Sequence, residues 1–283
     1  MKVSVVMPAK NESATVAAVV GTVRESHPDF EVIVVDDGST DNTAQLARDA
    51  GAKVVAHLYS KGNGAAIKSG ARAAAGDVIV FMDADGQHDP ADIQRLLGRI
   101  REGFDLVVGA RQQGSQASVG RGLANGFYNR LATYMTGHKV EDLTSGFRAV
   151  RADKFREFLY LLPNGFSYPT TSTMAFFRAG YSVAYEPIHA AQRVGKSHIK
   201  PLKDGVRFLL IIFKIGTLYS PLKLFAPVSV LAFFIATLWY GYTLVMEGRF
   251  TNMSALLYTG SVMVFLMGLI SEQITALMYK ESR

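Results

Sequence analysis

Two long stretches near the end of the chain carry no charged residue, and they limit the possible fold more than any other feature. Residues 224–246 and residues 250–271 contain no Asp, Glu, Lys or Arg. With a rise of 1.5 Å per residue, each stretch would be about 33 to 35 Å long as a helix, which is enough to cross the ~30 Å hydrocarbon core of a membrane. A pair of buried core helices is the alternative. The sequence favours a two-helix transmembrane hairpin in residues 221–283, with spans at about 223–246 and 253–278.

The segment before the first span has a different pattern. As a helix, residues 201–220 place Lys203, Arg207 and Lys214 on one stripe, and Leu, Ile and Phe cover most of the remaining surface. This pattern is typical of an amphipathic helix that lies in the membrane interface. A third, short buried helix is the alternative interpretation.

The cations around the apolar stretches predict their orientation. Only Arg249 lies between the two spans, whereas six cations flank them. The flanking cations are Lys203, Arg207, Lys214, Lys223, Lys280 and Arg283. Because cytoplasmic segments carry the excess of Lys and Arg, both ends of the hairpin are expected in the cytoplasm, together with residues 1–200. The sequence therefore predicts an integral protein of the bacterial inner-membrane type with a cytoplasmic domain.

Residues 1–200 alternate between helix-like and strand-like patterns. The runs "KVSVVM", "EVIVVD" and "DVIVFMD" are nearly continuously apolar, as in strands buried on both faces of a parallel sheet. Four times a glycine closes a helix-like run and a strand-like run follows, at Gly51, Gly76, Gly103 and Gly180. A glycine just past a helix end takes the left-handed conformation, with positive φ, at no steric cost. The prediction is an α/β domain with a doubly wound, mostly parallel sheet.

Composition excludes some kinds of site. The chain has no cysteine, which excludes disulfides, thiolate metal ligands and a cysteine nucleophile. The net charge of +6 divides evenly, because residues 1–200 carry 23 cations against 20 anions and residues 201–283 carry 7 against 4. We therefore expect no nucleic-acid partner.

The stretch "KGNGAAIKSG", residues 61–70, comes close to two phosphate-binding motifs. Counted from Gly62, Lys68 and Ser69 occupy the right places for G-x-x-x-x-G-K-[ST], but Ile67 replaces the second glycine. The dinucleotide pattern G-x-G-x-x-G also begins correctly at Gly62 and fails at Ile67. The loop is therefore not expected to be a phosphate cradle of either kind.

Acidic residues follow two of the predicted strands. Asp36 and Asp37 end the second strand, and "DADGQ" places Asp83, Asp85 and Gln87 at the end of the fourth. Ligands of open α/β sheets bind at the carboxyl ends of strands, and Mg²⁺ or Mn²⁺ is commonly held by one or two carboxylates plus phosphate oxygens. The calcium-loop pattern fails, because the required glycine and glutamate are absent from positions 6 and 12. A capped turn with two solvated aspartates is the alternative.

As a set, these motifs resemble the family 2 glycosyltransferases of GT-A fold, and more closely the polyprenyl-phosphate branch related to dolichol-phosphate mannose synthase. The resemblance covers essentially the whole chain. Its motifs are "MPAKNE" (7–12), "VDDGSTDNT" (35–43), "KGNGAAIKSG" (61–70), "DADGQHDP" (83–90), "VVGAR" (107–111), "EDLTSGFRA" (141–149) and "RVGKS" (193–197). The Q-x-x-R-W motif of processive polysaccharide synthases is absent. The resemblance implies a GT-A catalytic domain at 1–200.

The resemblance also implies roles for individual residues on the donor side. Those that bind the nucleotide are Pro8, Ala9, Glu12, Asp37, Gly62 and Asp83. Asp83, Asp85 and Gln87 would hold a divalent metal, Mg²⁺ or Mn²⁺, against the diphosphate.

A second set of residues is implied on the acceptor side. Those that meet the acceptor phosphate are Arg111, Arg121, Asn125, Arg193, Lys196 and Ser197. Asn125 departs from the small hydroxyl residue expected at its position. The catalytic residues implied are Asp142, Arg111 and Arg121, and Asp142 would act either as a base or as a group that orients the acceptor.

The function implied is inverting transfer of a single sugar from a UDP- or GDP-hexose to undecaprenyl or dolichyl phosphate at the cytoplasmic face of the membrane. One alternative keeps the fold and changes the acceptor to diacylglycerol or a lipid-linked saccharide. Another is a non-catalytic membrane module that binds nucleotide sugars. The partners expected are the nucleoside diphosphate sugar, the polyprenyl phosphate, membrane lipid and a second copy of the chain in a homo-oligomer.

Overall fold

The computed structural model describes residues 1–111, 119–165, 167–189, 216–217 and 219–280, without the side chains of 119–125 and 279–280. By its internal contacts the chain divides into residues 1–200 and residues 201–283.

The first unit alternates strands with helices. Its strands are β1 (Val3–Ala9), β2 (Glu31–Asp36), β3 (Lys53–Ala56), β4 (Val78–Phe81), β5 (Leu106–Arg111), β6 (Arg148–Arg151) and β7 (Val183–Ile188). Its helices are α1 (Val16–Ser26), α2 (Thr43–Asp49), α3 (Asn63–Ala73), α4 (Ile93–Arg101), α5 (Val119–Thr136), α6 (Ala152–Arg156) and α7 (Tyr168–Arg178). A 3-10 turn at Pro90–Asp92 leads into α4.

The described strands form one seven-stranded sheet in the order β3-β2-β1-β4-β6-β5-β7. All neighbours run parallel except β6, which is antiparallel to β4 and β5. The mostly parallel sheet predicted from the apolar runs is therefore confirmed. Strand β6 was not predicted, because its four residues begin and end with arginine and form no apolar run.

The reversed direction of β6 decides where the preceding loop lies. Arg148 at the start of β6 pairs with Phe81 at the end of β4 and with Val108, the third of the six residues of β5. The loop 142–147 consequently emerges at the same edge of the sheet as the segments that follow β4 and β5. Three stretches far apart in sequence meet at this edge.

Three of the four predicted helix-ending glycines have positive φ, with values of 90°, 106° and 79° at Gly51, Gly103 and Gly180. At Gly76 the expectation was wrong, because this residue does not have positive φ. A Cβ at Gly76 would lie 2.7 Å from the backbone nitrogen of Ser4. Glycine is required there because the backbone approaches β1 closely, not because a helix ends in the left-handed region.

The second unit contains α8 (Pro221–Glu247) and α9 (Asn252–Lys280), which extend over the two predicted spans. Both are long and apolar enough to cross a membrane. Only 11% and 17% of the residues in their most apolar windows are buried, which argues against a pair of core helices of a soluble protein. The predicted interfacial helix at 201–220 lies mostly outside the described residues.

The two helices of the hairpin pack closely on each other. A Cβ at Gly268 would lie 2.7 Å from Cβ of Phe225, so the glycine permits this approach. Glu272, the only charged residue of α9 before its last turn, accepts a hydrogen bond of 3.3 Å from the backbone nitrogen of Leu222. The carboxylate therefore caps the start of α8, where backbone N–H groups lack partners within the helix.

Candidate functional site

The segments that follow β1 and β2 are joined by hydrogen bonds. The backbone nitrogen of Asp37 donates to the carbonyl of Ala9 at the end of β1, at 2.9 Å. The Asn11 side-chain oxygen accepts from the backbone nitrogen of Thr40 at 2.8 Å, and Asn11 has a φ of 56°, which is uncommon outside glycine. The backbone nitrogen of Glu12 donates to Thr43 Oγ1 at 2.9 Å. Ala9, Glu12 and Asp37, three of the residues predicted to bind the nucleotide, therefore lie in segments that are held together.

Asp37 is 4% exposed, and its own chain occupies both of its carboxylate oxygens. Oδ1 lies 2.7 Å from His57 Nδ1 and accepts from the backbone nitrogen of Lys61 at 2.8 Å. Oδ2 accepts from Ser60 Oγ and from the backbone nitrogen of Gly62, both at 2.8 Å. Burial alone would raise the pKa of Asp37, but these hydrogen bonds lower it to about 2. A hydrogen bond to a nucleoside base would have to displace one of these partners.

His57 connects this carboxylate to α3. Its Nδ1 faces Asp37 and its Nε2 lies 2.9 Å from Ser69 Oγ. A carboxylate can only accept, so Nδ1 carries the proton in its contact with Asp37. The turn after β3 and the middle of α3 are thereby fixed to the end of β2.

The turn at 61–62 and the first turn of α3 use their glycines to approach the segment 162–165. The backbone nitrogens of Gly64 and Ala65 donate to carbonyl oxygens of that segment at 3.0 and 2.9 Å. Gly62 has a φ of 102°, and a Cβ there would lie 2.5 Å from a carbonyl oxygen of the same segment. Lys68 Nζ donates to another of its carbonyls at 3.1 Å. The groups that a phosphate cradle would direct at its ligand therefore bind protein backbone.

The end of β4 is more open. The Asp83 side chain is 37% exposed, and its Oδ2 lies 3.8 Å from His88 Nε2. Asp85 Oδ1 accepts from the backbone nitrogen of Gln87 at 3.2 Å. Thr15 Oγ1, at the start of α1, donates to the carbonyl of Ala84 at 2.8 Å and holds the loop between the two aspartates.

These residues suit a divalent cation. Asp83, Asp85 and Gln87 offer only oxygen ligands, which Mg²⁺ and Mn²⁺ prefer. Within the described residues, no group of three or more His, Asp or Glu side chains could hold a metal by itself. A metal here would therefore take its remaining ligands from water and from the phosphate groups of a substrate.

Arg111 and Asp142 form a two-pronged ion pair at the end of β5. Arg111 Nε lies 2.7 Å from Asp142 Oδ2, and Nη2 lies 2.9 Å from Oδ1. The backbone nitrogens of Thr144 and Ser145 donate to the same Oδ1 at 3.0 and 3.1 Å. Burial opposes the charge on both groups, yet the pair lowers the pKa of Asp142 and raises the pKa of Arg111. Asp142 is 5% exposed, so this is a buried carboxylate that stays ionised.

The loop that contains Asp142 also reaches the metal-binding candidates. A Cβ at Gly146 would lie 3.2 Å from Asp83 Oδ2, and the residue lies between that carboxylate and the hydroxyl of Tyr168. Neither Gly146 nor Tyr168 was predicted from the sequence as a site residue. The "SGF" of the motif "EDLTSGFRA" was the available signal, since a glycine in a loop can mark a close approach.

The structure therefore brings Asp83, Asp85, Arg111 and Asp142 to one edge of the sheet. The predicted residues Arg121 and Asn125 lie one helical turn apart in α5, and their side chains are outside the described part of the chain. Arg193, Lys196 and Ser197 are outside the described residues altogether.

Two family models match the chain. The glycosyl transferase family 2 model matches residues 4–159, and the GtrB C-terminal hairpin model matches residues 220–277. The first match covers more than half of the chain and contains both acidic motifs, Arg111 and Asp142. The second covers the two long apolar helices, which indicates that they anchor the chain in a membrane.

Three curated relatives resemble the chain over most of its length. Glycosyltransferase AglJ of Haloferax volcanii is 27% identical and aligns over 97% of this chain and 94% of its own. The undecaprenyl-phosphate 4-deoxy-4-formamido-L-arabinose transferase of Proteus mirabilis is 29% identical, over 96% and 88%. The undecaprenyl-phosphate mannosyltransferase of Micrococcus luteus is 31% identical, over 68% and 85%.

Solved structures of a glucosyl-3-phosphoglycerate synthase from Mycobacterium tuberculosis share the fold. The complex with Mn²⁺, UDP-glucose and phosphoglyceric acid has a TM-score of 0.62 at 24% identity, over 76% of this chain and 78% of that one. The complex with Mg²⁺ and UDP has a TM-score of 0.59 at 26% identity, over 75% and 79%.

Proposed function

This chain belongs to glycosyl transferase family 2, and on that premise we propose that it transfers a single sugar from a nucleoside diphosphate sugar to a polyprenyl phosphate. Two of the relatives are named as undecaprenyl-phosphate transferases, which supports this class of acceptor. The reaction is an in-line displacement with inversion, so an α-linked donor gives a β-linked lipid phosphate sugar. One sugar is added per lipid, because two membrane helices are too few to form an export channel for a polymer.

The state of Asp142 is the observation that carries the proposal. Its two oxygens accept from Arg111 and from the backbone of Thr144 and Ser145, and its pKa is lowered. A general base needs a free lone pair near the acceptor and a pKa close to the working pH. Asp142 has neither property, so it holds Arg111 in place instead of removing a proton.

A phosphate acceptor does not need a base. The second pKa of a phosphate monoester is about 6, so the nucleophilic oxygen is already largely ionised at neutral pH. An alcohol acceptor such as diacylglycerol would have to lose a proton during transfer. The absence of a competent base at position 142 therefore favours the phosphate over the alcohol.

Transfer still requires two anions, the acceptor phosphate and the donor diphosphate, to approach each other, and Arg111 can lower their repulsion. Its side chain is 27% exposed, and within the described part of the chain its Nη1 makes no hydrogen bond. A guanidinium group can bind Asp142 through one edge and a phosphate through the other. Fixed positive charge beside the developing negative charge is often the largest catalytic contribution.

Asp83, Asp85 and Gln87 would hold Mg²⁺ or Mn²⁺ against the diphosphate of the donor. The bound metal would neutralise charge on the diphosphate leaving group. The synthase from Mycobacterium tuberculosis contains Mn²⁺ with UDP-glucose, or Mg²⁺ with UDP, which supports a divalent ion here. Pro8, Ala9, Glu12 and the turn held by Asp37 would surround the nucleoside.

Direct transfer assays test the proposal. Purified protein in detergent would receive undecaprenyl phosphate, undecaprenol or diacylglycerol, together with radiolabelled UDP- and GDP-sugars and either Mg²⁺, Mn²⁺ or EDTA. The expected result is metal-dependent labelling of the lipid phosphate alone, by one donor. Labelling of diacylglycerol would contradict the acceptor, and nucleotide binding without transfer from any donor would favour a non-catalytic module.

The proposal places residues 1–200 in the cytoplasm, and the lack of cysteine makes this simple to test. Single cysteines at Ser26, on the exposed end of α1, and at Arg249, between the membrane helices, provide the two probes. In intact cells, a membrane-impermeant maleimide should label Arg249→Cys and leave Ser26→Cys unlabelled. The reverse labelling would contradict the orientation.

A further inference from the structure

Arg148 is a fully buried cation directly behind the loop that contains Asp142. Its exposure is 0%, and no described carboxylate lies within ion-pair distance of it. Its Nη1 donates to Ser172 Oγ at 2.8 Å and to the carbonyl of Pro169 at 2.9 Å, and its Nη2 donates to the carbonyl of Ser145. A buried charge is costly unless it is bonded; the two Nη groups are bonded here, whereas Nε has no partner in the described part of the chain.

These hydrogen bonds connect the loop 142–147 to the start of α7. Tyr168, the first residue of α7, lies 5.6 Å from the Arg148 guanidinium, which is over its ring. The Tyr168 hydroxyl donates to the carbonyl of Gly146 at 2.9 Å. Two side chains therefore hold two consecutive carbonyls of the loop, at Ser145 and at Gly146.

The opposite side of this loop faces the site. Asp142, at its start, holds Arg111 through two hydrogen bonds. At Gly146, a Cβ would lie 3.2 Å from Asp83 Oδ2 and 3.4 Å from the Tyr168 hydroxyl. The same short loop thus contacts the proposed acceptor-phosphate arginine and the proposed metal ligand.

We propose that Arg148 and Tyr168 are positioning residues that set the separation between Arg111 and Asp83, and through it the approach of the acceptor phosphate to the donor diphosphate. This inference rests on the proposed function. Neither residue touches a substrate. Arg148 holds the carbonyl of Ser145, and Tyr168 holds the carbonyl of Gly146. The position of the loop in turn fixes Arg111, through Asp142, and Asp83, through Gly146. Arginine suits this position because the two Nη groups of its planar guanidinium reach α7 and the loop at the same time.

Tyr168→Phe tests the proposal with a small change. It removes the hydroxyl and keeps the ring that packs on Arg148 and Phe81. Tyr181→Phe is the matched control, because Tyr181 also packs among aromatic rings and its hydroxyl donates one hydrogen bond, to Glu157 at 2.8 Å, away from the site.

The expected result is a separation of kcat from KM. Tyr168→Phe should lower kcat by about 10- to 100-fold, since a misplacement of about 1 Å can cost that much, while the donor KM changes less than about threefold. Tyr181→Phe should keep the wild-type kcat. A wild-type kcat for Tyr168→Phe would overturn the proposal, as would an equal loss of kcat in Tyr168→Phe and Tyr181→Phe.

Gly146→Ala provides a readout that does not depend on turnover. Its Cβ would push on Asp83, so Mn²⁺ binding in the presence of UDP or GDP, measured by electron paramagnetic resonance, should weaken several-fold. Gly98→Ala in α4 is the control, because a Cβ there meets nothing within 4 Å. Unchanged Mn²⁺ affinity in Gly146→Ala would overturn the contact between the loop and the metal site. If wild-type protein transfers no sugar, the proposed function fails, and the Mn²⁺ measurement still reports on the loop.

Discussion

The ends of β2 and β4 contain similar acidic motifs, but the chain uses their carboxylates in opposite ways. Asp37, after β2, is 4% exposed and accepts four hydrogen bonds from its own chain. Asp83, after β4, has a side chain that is 37% exposed, and His88 Nε2 lies 3.8 Å from it. A carboxylate whose lone pairs are occupied by the protein stabilises the fold, whereas one that remains accessible can bind a cation. In the proposed site, the end of β2 therefore stabilises the fold, and the end of β4 is the part open to a cation.

The same division separates Asp142 from Asp85. Asp142 resembles Asp37, because it is buried and its partners all come from the chain. Asp85, like Asp83, follows β4 and is only partly buried. Substitutions that replace each carboxylate should therefore affect transfer and stability in different proportions.

The largest effect on transfer is expected from Asp85→Ala. Loss of a metal ligand should lower the rate by a factor on the order of 10³, with little change in folding, because a metal or equivalent charge at the leaving group contributes several kcal/mol. Initial rates over a Mn²⁺ titration measure the effect. Asp29→Ala, at an exposed acid before β2, is the control for loss of one negative charge. Wild-type transfer by Asp85→Ala would remove Asp85 from the metal site.

Asp142→Asn should have an intermediate effect. The amide keeps one acceptor oxygen but places N–H groups against Arg111, so Arg111 moves and transfer should fall by about 10- to 100-fold without being abolished. Steady-state rates with undecaprenyl phosphate measure this loss.

Asp105→Asn is the matched control for Asp142→Asn. Asp105 is a buried carboxylate paired with Lys154 at 2.7 Å, at the opposite end of β5. The Asp105→Asn variant should be less stable than the wild type and should keep the wild-type catalytic rate per folded molecule. Complete inactivity of Asp142→Asn, with Arg111 still able to bind phosphate, would indicate that Asp142 removes a proton and that the acceptor is an alcohol.

Asp37→Asn should affect stability more than transfer. The pKa of Asp37 is lowered from 3.8 to about 2, so its ionised form stabilises the folded state above about pH 4. That contribution is lost as the pH falls from about 4 towards 2. The difference in Tm between the wild type and Asp37→Asn should therefore be largest above pH 5 and smaller at pH 3, and transfer at pH 7 should fall less than about tenfold. A Tm difference that grows on acidification would contradict this role.

Lys68→Met should have the smallest effect on ligand binding. Lys68 donates to a backbone carbonyl of the segment 162–165, so its ammonium group is bonded to the protein. Its loss should lower Tm slightly and change the Kd for UDP or GDP by less than about threefold, the range of one weak surface interaction. Isothermal titration in the presence of Mn²⁺ measures the Kd. A tenfold increase would show that the loop 61–70 contacts phosphate after all, and would weaken the contrast between the two regions.

Much of this arrangement follows from local sequence. Continuous apolar runs predict β1, β2 and β4 because a strand buried on both faces has no polar positions to alternate with. The uncharged stretches predict α8 and α9 because only a helix of that length satisfies its own backbone in a membrane. The acidic motifs were placed correctly at strand ends, since the end of an apolar run is visible in the sequence.

Other features depend on contacts between distant residues. β6 was not predicted, because its short run "RAVR" gives no periodic signal and the strand exists only between β4 and β5. The sequence also could not distinguish the buried carboxylate of Asp37 from the accessible one of Asp83. That difference depends on His57 and the turn at 60–62, which fold back onto the end of β2.

The sequence by itself determined the classes of element, the two apolar helices and the residue types available for chemistry, because these depend on periodicity and composition within short windows. Only the tertiary structure decided which groups meet. The antiparallel course of β6 brings the loop 142–147 between Arg111 and Asp83, and the pairing of Arg111 with Asp142 occupies the oxygens that a base would need. The physical reason is that the pKa and accessibility of a carboxylate depend on donors supplied by other strands, and sheet order, not sequence spacing, places those donors.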